Sequence, residues 1–342
     1  MTTPASRVVL ACFDKFRFTA TASELCRVVA DVAWERDLEA TVRPMADGGE
    51  GTIDALAAQG GRLRRSTVTG PLGDPVEALW LIRGKTAFIE MAQASGLNVV
   101  GGPDGNRPLD ATTYGTGQLI VEALVSGAKR IVVTLGGSAT TDGGLGALNA
   151  MAPLARFRGI ELVVACDVQT TFTGAAADFG PQKGASAAEV GLLTRRLEQL
   201  ADRYLREREI DVRSVPGAGA AGGLAGALIS IGARVTSGFS FVADEAGLAD
   251  AIAAADIIFT GEGRCDAESF NGKVVGGVCE LAHEAGVAAV VIAGEIGEDF
   301  AIPPSLDASK VEVVSLTKWF GAEQAWNAPL RCVREVVTEF LV

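Results

Sequence analysis

Five polar or glycine-rich loops, nearly all placed after predicted strands, contain the residue types that phosphoryl transfer requires. Their aspartates are Asp14, Asp47, Asp142, Asp167 and Asp266. Their cations are Lys15, Arg17, Lys183, Arg264 and Lys273. Backbone N–H groups and hydroxyls can hold phosphate, carboxylates can bind Mg²⁺ or accept a proton, and cations can offset developing charge. One such loop alone is more often a tight turn, because glycine is the default residue at positive φ, but five together favour a phosphoryl-transfer site.

The loop "GGSATTDGGLG", residues 136–146, contains no lysine or arginine. Glycine-rich loops after strands often bind phosphate through backbone N–H groups. If this loop does so, the phosphate charge must be balanced by a metal ion or by cations from other loops. The sequence therefore predicts dependence on Mg²⁺, with Asp142 as the residue to test first.

Strand–loop–helix units at both ends of the chain would position these loops. Apolar runs at 7–13 and 40–45 each predict a strand followed by a loop and a helix, and Thr21 and Glu24 have the spacing of a capping box. Further strands are predicted within 130–137, 160–168, 256–264, 287–295 and 311–318. In the segment 256–264 the strand is expected to give way to a loop at "TGEGR".

The middle of the chain has a different pattern. From 66 to 91, short β-like runs are separated by Gly, Pro and Asp, which is typical of antiparallel strands, and 185–209 predicts a long amphipathic helix. We therefore predict an α/β fold: a flavodoxin- or Rossmann-like doubly wound domain formed by residues 1–65 and 250–342, with a second α/β domain, residues 66–249, inserted.

The charge balance limits the classes of partner. The chain of 342 residues has 30 Lys+Arg and 42 Asp+Glu, a net charge of −12 at pH 7. This argues against nucleic acid, whose binding depends on Lys and Arg at phosphates, but not against a nucleotide held by local N–H groups and metal ions. No apolar run reaches the roughly 18 residues that a membrane span needs, and the N-terminus lacks a signal-peptide pattern. A cytoplasmic protein without a membrane partner is expected.

The cysteines and the single histidine restrict the chemistry. Six scattered cysteines with no CxxC pair predict reduced, mostly buried thiols rather than a zinc site or a disulfide framework. His283 is expected at a solvated or half-buried position on a helix. Catalysis by a Ser-His or Cys-His pair is thereby nearly excluded, and the general base is expected to be a carboxylate.

The segment "GAGAAG", residues 217–222, matches the glycine spacing of a dinucleotide site. That fingerprint requires an apolar strand immediately before it and an acidic residue about 20 positions later. Here the preceding residues are "DVRSVP", and Asp244 lies too far along the chain. A nicotinamide site is therefore not predicted.

Eight motifs together resemble the bacterial glycerate kinase family, of the glycerate 2-kinase type. They span nearly the whole chain in family order: "MADGGEGT" (45–52), "IEMAQASGL" (89–97), "TTYGTGQLI" (112–120), "GGSATTDGGLG" (136–146), "ACDV" (165–168), "FGPQKGA" (179–185), "PGAGAAGGL" (216–224) and "TGEGRCDAES…GK" (260–273). The resemblance implies transfer of the γ-phosphoryl group of ATP to D-glycerate with Mg²⁺, favouring the 2-hydroxyl. It also implies a flavodoxin-like domain completed by the C-terminus, an inserted α/β domain, and a site in the cleft between them.

On this resemblance, roles can be assigned residue by residue. The phosphate-binding residues would be Gly136, Gly137, Ser138, Thr140, Thr141 and Gly143. Candidates for Mg²⁺ are Asp142, Asp167 and Asp266. Candidates for the substrate are Lys15, Arg17, Asp47 and Glu50. The general base would be Asp47 or Asp14, and Arg264 or Lys273 would stabilise the charge of the transition state.

The chain departs from the family pattern in two places. The first loop usually reads Asp-Ser-Phe-Lys-Gly-Ser, and here Arg17 replaces the lysine and Phe18 the glycine. Arginine can still clamp a carboxylate, in a bidentate geometry, but a phenylalanine is expected to narrow the pocket and alter substrate choice. The segment between 150 and 160 is also shorter than usual, which predicts a trimmed surface excursion.

Two other functions stay open at this stage. Phe18 could redirect the enzyme to a related small hydroxy or sugar acid, or the chain could be a catalytically silent homologue that binds a nucleotide or sugar acid. A homodimer is compatible with either.

Overall fold

The computed structural model describes residues 7–270 and 272–341. Its described residues form eleven β-strands: β1 Val8–Ala11, β2 Glu39–Val42, β3 Arg62–Thr69, β4 Pro75–Arg83, β5 Thr86–Glu90, β6 Arg130–Thr134, β7 Glu161–Ala165, β8 Arg234–Thr236, β9 Ile257–Cys265, β10 Ala288–Ile296 and β11 Val311–Ser315. The same ranges contain fourteen α-helices: α1 Ala22–Trp34, α2 Thr52–Ala57, α3 Ala92–Ser95, α4 Tyr114–Val125, α5 Leu145–Met151, α6 Ala175–Phe179, α7 Ala187–Arg208, α8 Ala220–Ile229, α9 Gly238–Ala246, α10 Leu248–Ala253, α11 Val274–Ala285, α12 Leu316–Phe320, α13 Ala322–Asn327 and α14 Pro329–Phe340.

The first sheet is wholly parallel and has the order β11-β10-β9-β1-β2. Helices cover both faces of this sheet. Successive residues of a strand point to opposite faces, so neighbours along β10 belong to different cores. Val290 and Ile292 of β10 belong to the core that includes α1 and α14, whereas Val291 and Ala293 belong to the core that includes α11. This doubly wound arrangement, built from both ends of the chain, confirms the predicted fold class.

Helix α1 begins where the sequence predicted. The Thr21 side chain accepts a hydrogen bond from the Glu24 amide, and the Glu24 carboxylate accepts one from the Thr21 amide at 2.8 Å. This reciprocal pair satisfies two N–H groups that the first helical turn leaves without partners. The capping box thereby fixes the end of the loop that contains Asp14.

The second sheet has six strands in the order β3-β4-β5-β6-β7-β8. Strands β3, β4 and β5 pair antiparallel, as predicted for residues 66–91, and β5 to β8 pair parallel. Ile131 and Val133 of β6 pack in one core with Leu119 of α4 and Leu224 of α8. The parallel strands of this sheet end at the loops that follow Glu90, Thr134 and Ala165.

The chain divides into two compact units. Unit 1 comprises Met1–Asp47, Asp54–Gln59 and Phe239–Val342, and contains the parallel sheet. Unit 2 comprises Gly48–Ile53 and Gly60–Gly238, and contains the six-stranded sheet. The domain boundaries at 65/66 and 249/250 stay a prediction.

Strand β9 continues through the segment "TGEGR", where the sequence analysis expected a loop. Its glycines permit close packing along the strand: a Cβ on Gly261 would lie 1.9 Å from the Ile292 carbonyl oxygen, and one on Gly263 would lie 3.2 Å from the Arg17 amide nitrogen. Pairing with β10 extends past Arg264, opposite Glu295, to Cys265, opposite Ile296. The expected loop is therefore wrong, because glycine here serves the approach of neighbouring backbones rather than a turn.

The "GAGAAG" segment also packs closely against another backbone. A Cβ on Gly222 would lie 2.0 Å from the Thr140 carbonyl oxygen, and the Gly222 oxygen accepts a hydrogen bond from the Gly143 amide at 3.0 Å. Ala221 and Gly222 have φ of 52° and 64°. These glycines support the loop 136–144 from beneath.

The six cysteines are all free and buried, which confirms their prediction. His283 is exposed on α11, and its Nδ1 accepts a hydrogen bond from the Asp307 amide at 3.4 Å. Among the described residues, no helix has both the length and the apolar character needed to cross a membrane.

Candidate active site

The loop 136–144 is exposed only at its beginning. Gly137 is exposed, Gly136 is half-buried and Ser138 is 8% exposed, whereas the residues from Ala139 to Gly144 are buried. A ligand can therefore reach the first three residues of the loop and not the rest. The sequence had assigned phosphate contacts along its whole length.

The segment 48–53, which contains most of the predicted loop 47–52 and the start of α2, meets the loop 136–144 at the carboxyl ends of β5, β6 and β7. The Gly136 amide donates to the Gly48 oxygen at 3.4 Å, and a Cβ on Gly136 would lie 2.4 Å from the Cα of Gly49. A Cβ on Gly48 would lie 3.3 Å from the Ala165 oxygen at the end of β7. In open α/β sheets this edge is where ligands bind.

Glu90, the last residue of β5, holds the loop 48–53 in place. Its buried Oε2 accepts hydrogen bonds from the amides of Gly51 and Ile53, at 3.2 and 3.3 Å. Glu90 belongs to the motif "IEMAQASGL", but the sequence alone predicts no role for it. The sequence feature that could have identified Glu90 is a single acidic residue at the end of an apolar strand.

The backbone amides of Gly137 and Ser138 are available to bind a ligand. The oxygen of Gly137 accepts from the Leu97 amide at 2.8 Å, and the Ala139 amide donates to the Ser95 oxygen at 2.9 Å. The amides of Gly137 and Ser138 themselves donate no hydrogen bond to any residue that the structure describes. Because Gly137 is exposed and Ser138 borders it, these amides can serve an anion.

Lys183 supplies the cation that the loop lacks. Its Nζ donates to Ser138 Oγ and to the Thr140 oxygen, both at 2.8 Å, and the residue is only 4% exposed. Burial lowers the pKa of this ammonium to about 7, and the negative charge of Asp142 opposes the shift. The Asn106 side chain links the loop 136–144 to the segment that contains Lys183. Its Nδ2 donates to the backbone oxygens of Ala139 and Lys183, at 3.0 and 2.9 Å.

Asp142 is buried and already saturated with hydrogen-bond donors. Its oxygens accept from the amides of Thr113, Gly144 and Gly146 at 2.8, 3.0 and 3.1 Å, and from the Thr113 hydroxyl at 2.9 Å. These bonds fix the start of α5 and join the loop to the segment before α4. The donor set fits an anchoring role and does not fit the predicted role as a metal ligand.

The remaining predicted phosphate ligands of this loop are also internal. Thr140 Oγ1 donates to the Ala221 oxygen at 3.5 Å, and Thr141 Oγ1 is buried without a hydrogen-bond partner among the described residues. The Gly143 oxygen accepts from the Tyr204 hydroxyl of α7 at 2.9 Å. These three residues shape the loop, and phosphate contacts by them stay an untested prediction that their burial does not favour.

In unit 1, Asp14 lies three residues after the end of β1 in a buried position. Its Oδ1 accepts from the Lys15 amide at 2.7 Å and lies 3.7 Å from Lys15 Nζ. Burial raises the pKa of this carboxyl to about 7; the Lys15 charge opposes the rise, and Asp47 and Glu262 add to it. A carboxyl with this pKa can take a proton near neutral pH.

Glu262 joins the same cluster from β9. Burial raises its pKa, Lys273 opposes the rise, and Asp266 and Asp47 contribute to it. Glu262 was not among the residues predicted from the sequence, although it lies within the "TGEGR" motif. Asp47 and Glu262 thus repel the Asp14 carboxylate within unit 1, and this repulsion favours a proton on Asp14.

The other predicted residues of unit 1 are more exposed. Lys273 Nζ lies 3.5 Å from Glu268 Oε2, and Asp266 Oδ1 accepts from the Glu268 amide at 3.0 Å. Arg264 is exposed. Arg17 is exposed, and its guanidinium lies 5.1 Å from the centre of the Phe18 ring.

Glu50 and Asp167 belong to unit 2. Both Glu50 oxygens accept from Asn98 Nδ2, at 3.1 and 3.0 Å, and Asp167 Oδ1 accepts from the Gly238 amide at 2.8 Å. The described residues contain no group of three His, Cys, Asp or Glu able to hold a metal ion by themselves, and the choice among the three Mg²⁺ candidates stays a prediction.

Phe18 adopts a left-handed backbone conformation, with φ of 69°, and its side chain is 75% exposed. This φ gives a physical reason for glycine at the position, since a bulky side chain is strained there. The ring is covered on one side by Arg17 and does not fill an enclosed pocket.

Replacing Phe18 with glycine is expected to raise the free energy of unfolding by about 1 kcal/mol, because the left-handed strain is relieved. Chemical denaturation of the variant measures the change. The matched control is Asp37→Gly, at φ 57°, which should gain less because aspartate tolerates this conformation. An equal or smaller gain for Phe18→Gly would contradict the strain argument.

Comparison with known proteins places these features in a family context. The sequence profile of the glycerate kinase family matches residues 9–154 and 152–339. Glycerate 2-kinase of Escherichia coli (strain K12) is 39% identical across 84% of this chain and 85% of that protein. Glycerate kinase of Bacillus subtilis (strain 168) is 40% identical across 75% and 76%. A crystal structure described as glycerate kinase 2 from Salmonella typhimurium LT2 superposes with a TM-score of 0.81, at 33% identity and 98% coverage of both chains.

Proposed function

This chain belongs to the glycerate kinase family, and we propose that it transfers the γ-phosphoryl group of MgATP to the 2-hydroxyl of D-glycerate. As a member of this family it is a kinase that uses a nucleotide and a small-molecule acceptor. The observation that carries the proposal is the exposed start of the loop 136–144. There, the free amides of Gly137 and Ser138 and the buried charge of Lys183 form a cradle for phosphate.

Asp14 is the proposed general base. Its Oδ1 is occupied by the Lys15 amide, whereas Oδ2 accepts no hydrogen bond from the described residues. Asp14 takes the proton of the substrate hydroxyl as the hydroxyl oxygen bonds to the γ-phosphorus, and the bond to the β-phosphate oxygen breaks to release ADP. With its pKa near 7, Asp14 suits this task better than the half-buried Asp47, the other candidate.

Cations of unit 1 would hold the acid substrate and offset charge. Lys15 and the exposed Arg17 are the proposed partners of the glycerate carboxylate, since Arg offers a bidentate clamp. The predicted contributions of Asp47 and Glu50 to substrate binding stay proposals. Arg264 or Lys273 would stabilise the transferred group in the transition state.

Mg²⁺ enters as part of the nucleotide substrate. Magnesium in kinases is usually held by one or two carboxylates together with phosphate oxygens and water, so a resident protein cage is not required. Asp266 accepts one backbone amide through Oδ1 and keeps further acceptor capacity. Asp142 keeps none, because four N–H and O–H donors already occupy its oxygens. Asp167 stays a candidate. Activity is expected to be lost on chelation with EDTA and restored by excess Mg²⁺.

The direct test is production of ADP by the purified protein with ATP and Mg²⁺, measured with and without D-glycerate. Phosphorus NMR of the product distinguishes 2-phosphoglycerate from 3-phosphoglycerate. The proposal expects glycerate-dependent ADP and the 2-phosphate. Absence of glycerate-dependent turnover would overturn the activity, and the 3-phosphate would overturn the choice of hydroxyl.

A second acceptor is favoured by one observation, the phenylalanine at position 18. A panel of small hydroxy and sugar acids decides between the two substrates: if glycerate is the poorest acceptor, the retuned kinase replaces the first proposal. Thermal shifts with ATP and glycerate, measured beside turnover, identify a silent binding protein as stabilisation without catalysis.

A cytoplasmic location is proposed because free buried cysteines suit a reducing compartment. A homodimer is also proposed. Light scattering on the purified protein tests it, and a monomer mass would overturn it.

A further inference from the structure

We propose that Lys183 is a positioning residue of the nucleotide site, whose ammonium fixes the Ser138 hydroxyl as a hydrogen-bond donor toward a phosphoryl oxygen. The inference rests on the proposed function, since it assumes that the start of the loop 136–144 receives nucleotide phosphate. Lys183 itself is 4% exposed and acts through Ser138.

The direction of the hydrogen bond carries the argument. A protonated lysine has three N–H donors and no acceptor. Its contact with Ser138 Oγ at 2.8 Å therefore obliges the hydroxyl oxygen to accept. The hydroxyl proton must then point elsewhere, and Ser138 donates it to no other residue in the described part of the chain.

The backbone oxygens near Ser138 in the chain are already engaged by other donors. The Thr140 oxygen is occupied by Lys183, and the oxygens of Gly137 and Ala139 accept from the Leu97 amide and from Asn106 Nδ2. The free amides of Gly137 and Ser138 lie next to the hydroxyl in the chain. Together, the two N–H groups and one O–H form three donors for a single anion.

The protonation state of Lys183 decides whether the hydroxyl is available. A neutral amine has a lone pair that can accept the Ser138 proton and remove it from the ligand. Burial brings the pKa of the amine to about 7, while Asp142, the charged group facing it from the loop, opposes the shift. A bound polyphosphate favours the ammonium, so nucleotide binding should take up a proton above pH 7.

The test measures the affinity for the β,γ-imido analogue of MgATP by titration calorimetry between pH 6.5 and 8.5. For the wild type, the Kd is expected to weaken by up to about tenfold per pH unit above pH 7. Lys183→Met and Ser138→Ala should each weaken binding at pH 7 by roughly tenfold and lose this dependence on pH. Protonation of the nucleotide analogue itself changes its affinity equally for all variants, so this contribution cancels when the variants are compared at the same pH.

The double variant separates positioning from a merely structural role. If Lys183 acts through Ser138, Lys183→Met in the Ser138→Ala background should cost almost nothing further. Lys129→Met, at an exposed lysine of the same unit, is the matched control and should bind like the wild type. If Lys183→Met does not fold, the pH dependence of Ser138→Ala decides alone.

Two failures are distinguishable. A wild type that binds no analogue and shows no glycerate-dependent ADP production overturns the proposed function. A wild type that binds, with additive effects in the double variant or an unchanged pH dependence in Ser138→Ala, overturns the role of Lys183 and leaves the function standing.

Discussion

Asp14→Asn is expected to lower kcat for glycerate phosphorylation by a factor of about 10²–10⁴, the usual contribution of a general base. The amide keeps the shape of the side chain and cannot take the proton. In the wild type, kcat/KM should rise with pH and reach half its maximum near pH 7, because Asp14 acts only when ionised and its pKa is about 7. The variant should lose this acidic limb.

The same substitution is expected to stabilise the fold at alkaline pH. Because burial raises the folded-state pKa of Asp14 from 3.8 to about 7, its favourable protonation is fully present below pH 3.8 and is lost as pH rises through 7. Above pH 7, Asp14→Asn should exceed the wild type in free energy of unfolding by as much as about 4 kcal/mol. Urea denaturation at pH 5 and pH 8 measures the difference.

Asp250→Asn, an exposed position on α10 of the same unit, serves as the control for both effects and should change neither. If Asp14→Asn retains wild-type kcat and its acidic limb, the base lies elsewhere. Asp47→Asn would then be the next variant to measure.

Asp142→Asn is expected to destabilise the protein by about 2–5 kcal/mol, whether or not Mg²⁺ is present. The new NH₂ group would face amide donors such as those of Thr113 and Gly146, and each buried donor left without an acceptor costs about 1–3 kcal/mol. Thermal and urea unfolding with and without Mg²⁺ measure the loss.

Asp110→Asn provides the matched comparison in the same unit. Asp110 lies 3.3 Å from Arg107 in a pair that is mostly exposed, so its loss should cost less than about 1 kcal/mol. The anchoring role would be contradicted if Asp142→Asn kept wild-type stability and instead raised the Mg²⁺ concentration needed for turnover. That outcome would restore the metal ligand predicted from the sequence.

Local and periodic features were predictable from the sequence. The capping box of Thr21 and Glu24 depends on residues three positions apart, and the apolar runs of β1, β6 and β10 follow from burial on both sheet faces. The eight motifs indicated the family because they occur in family order from residue 45 to residue 273. In each case the signal lies within a short stretch of residues.

Tertiary contacts decided what the sequence could not. Asp142 is saturated by donors from Thr113, 29 positions away, and Lys183 reaches Ser138 across 45 positions. No spacing rule predicts either partner. Gly261 and Gly263 predict a loop wrongly because glycine is typical both of turns and of close backbone approach, and only the pairing of β9 with β10 distinguishes the two.

The central claim is that nucleotide phosphate lies at the exposed start of the loop 136–144. A crystal structure of the protein with the β,γ-imido analogue of MgATP tests it most directly. The account predicts phosphoryl oxygens about 2.7–3.2 Å from the amide nitrogens of Gly137 and Ser138 and from Ser138 Oγ, with Lys183 Nζ still bonded to that hydroxyl. Phosphates bound away from these atoms would contradict it.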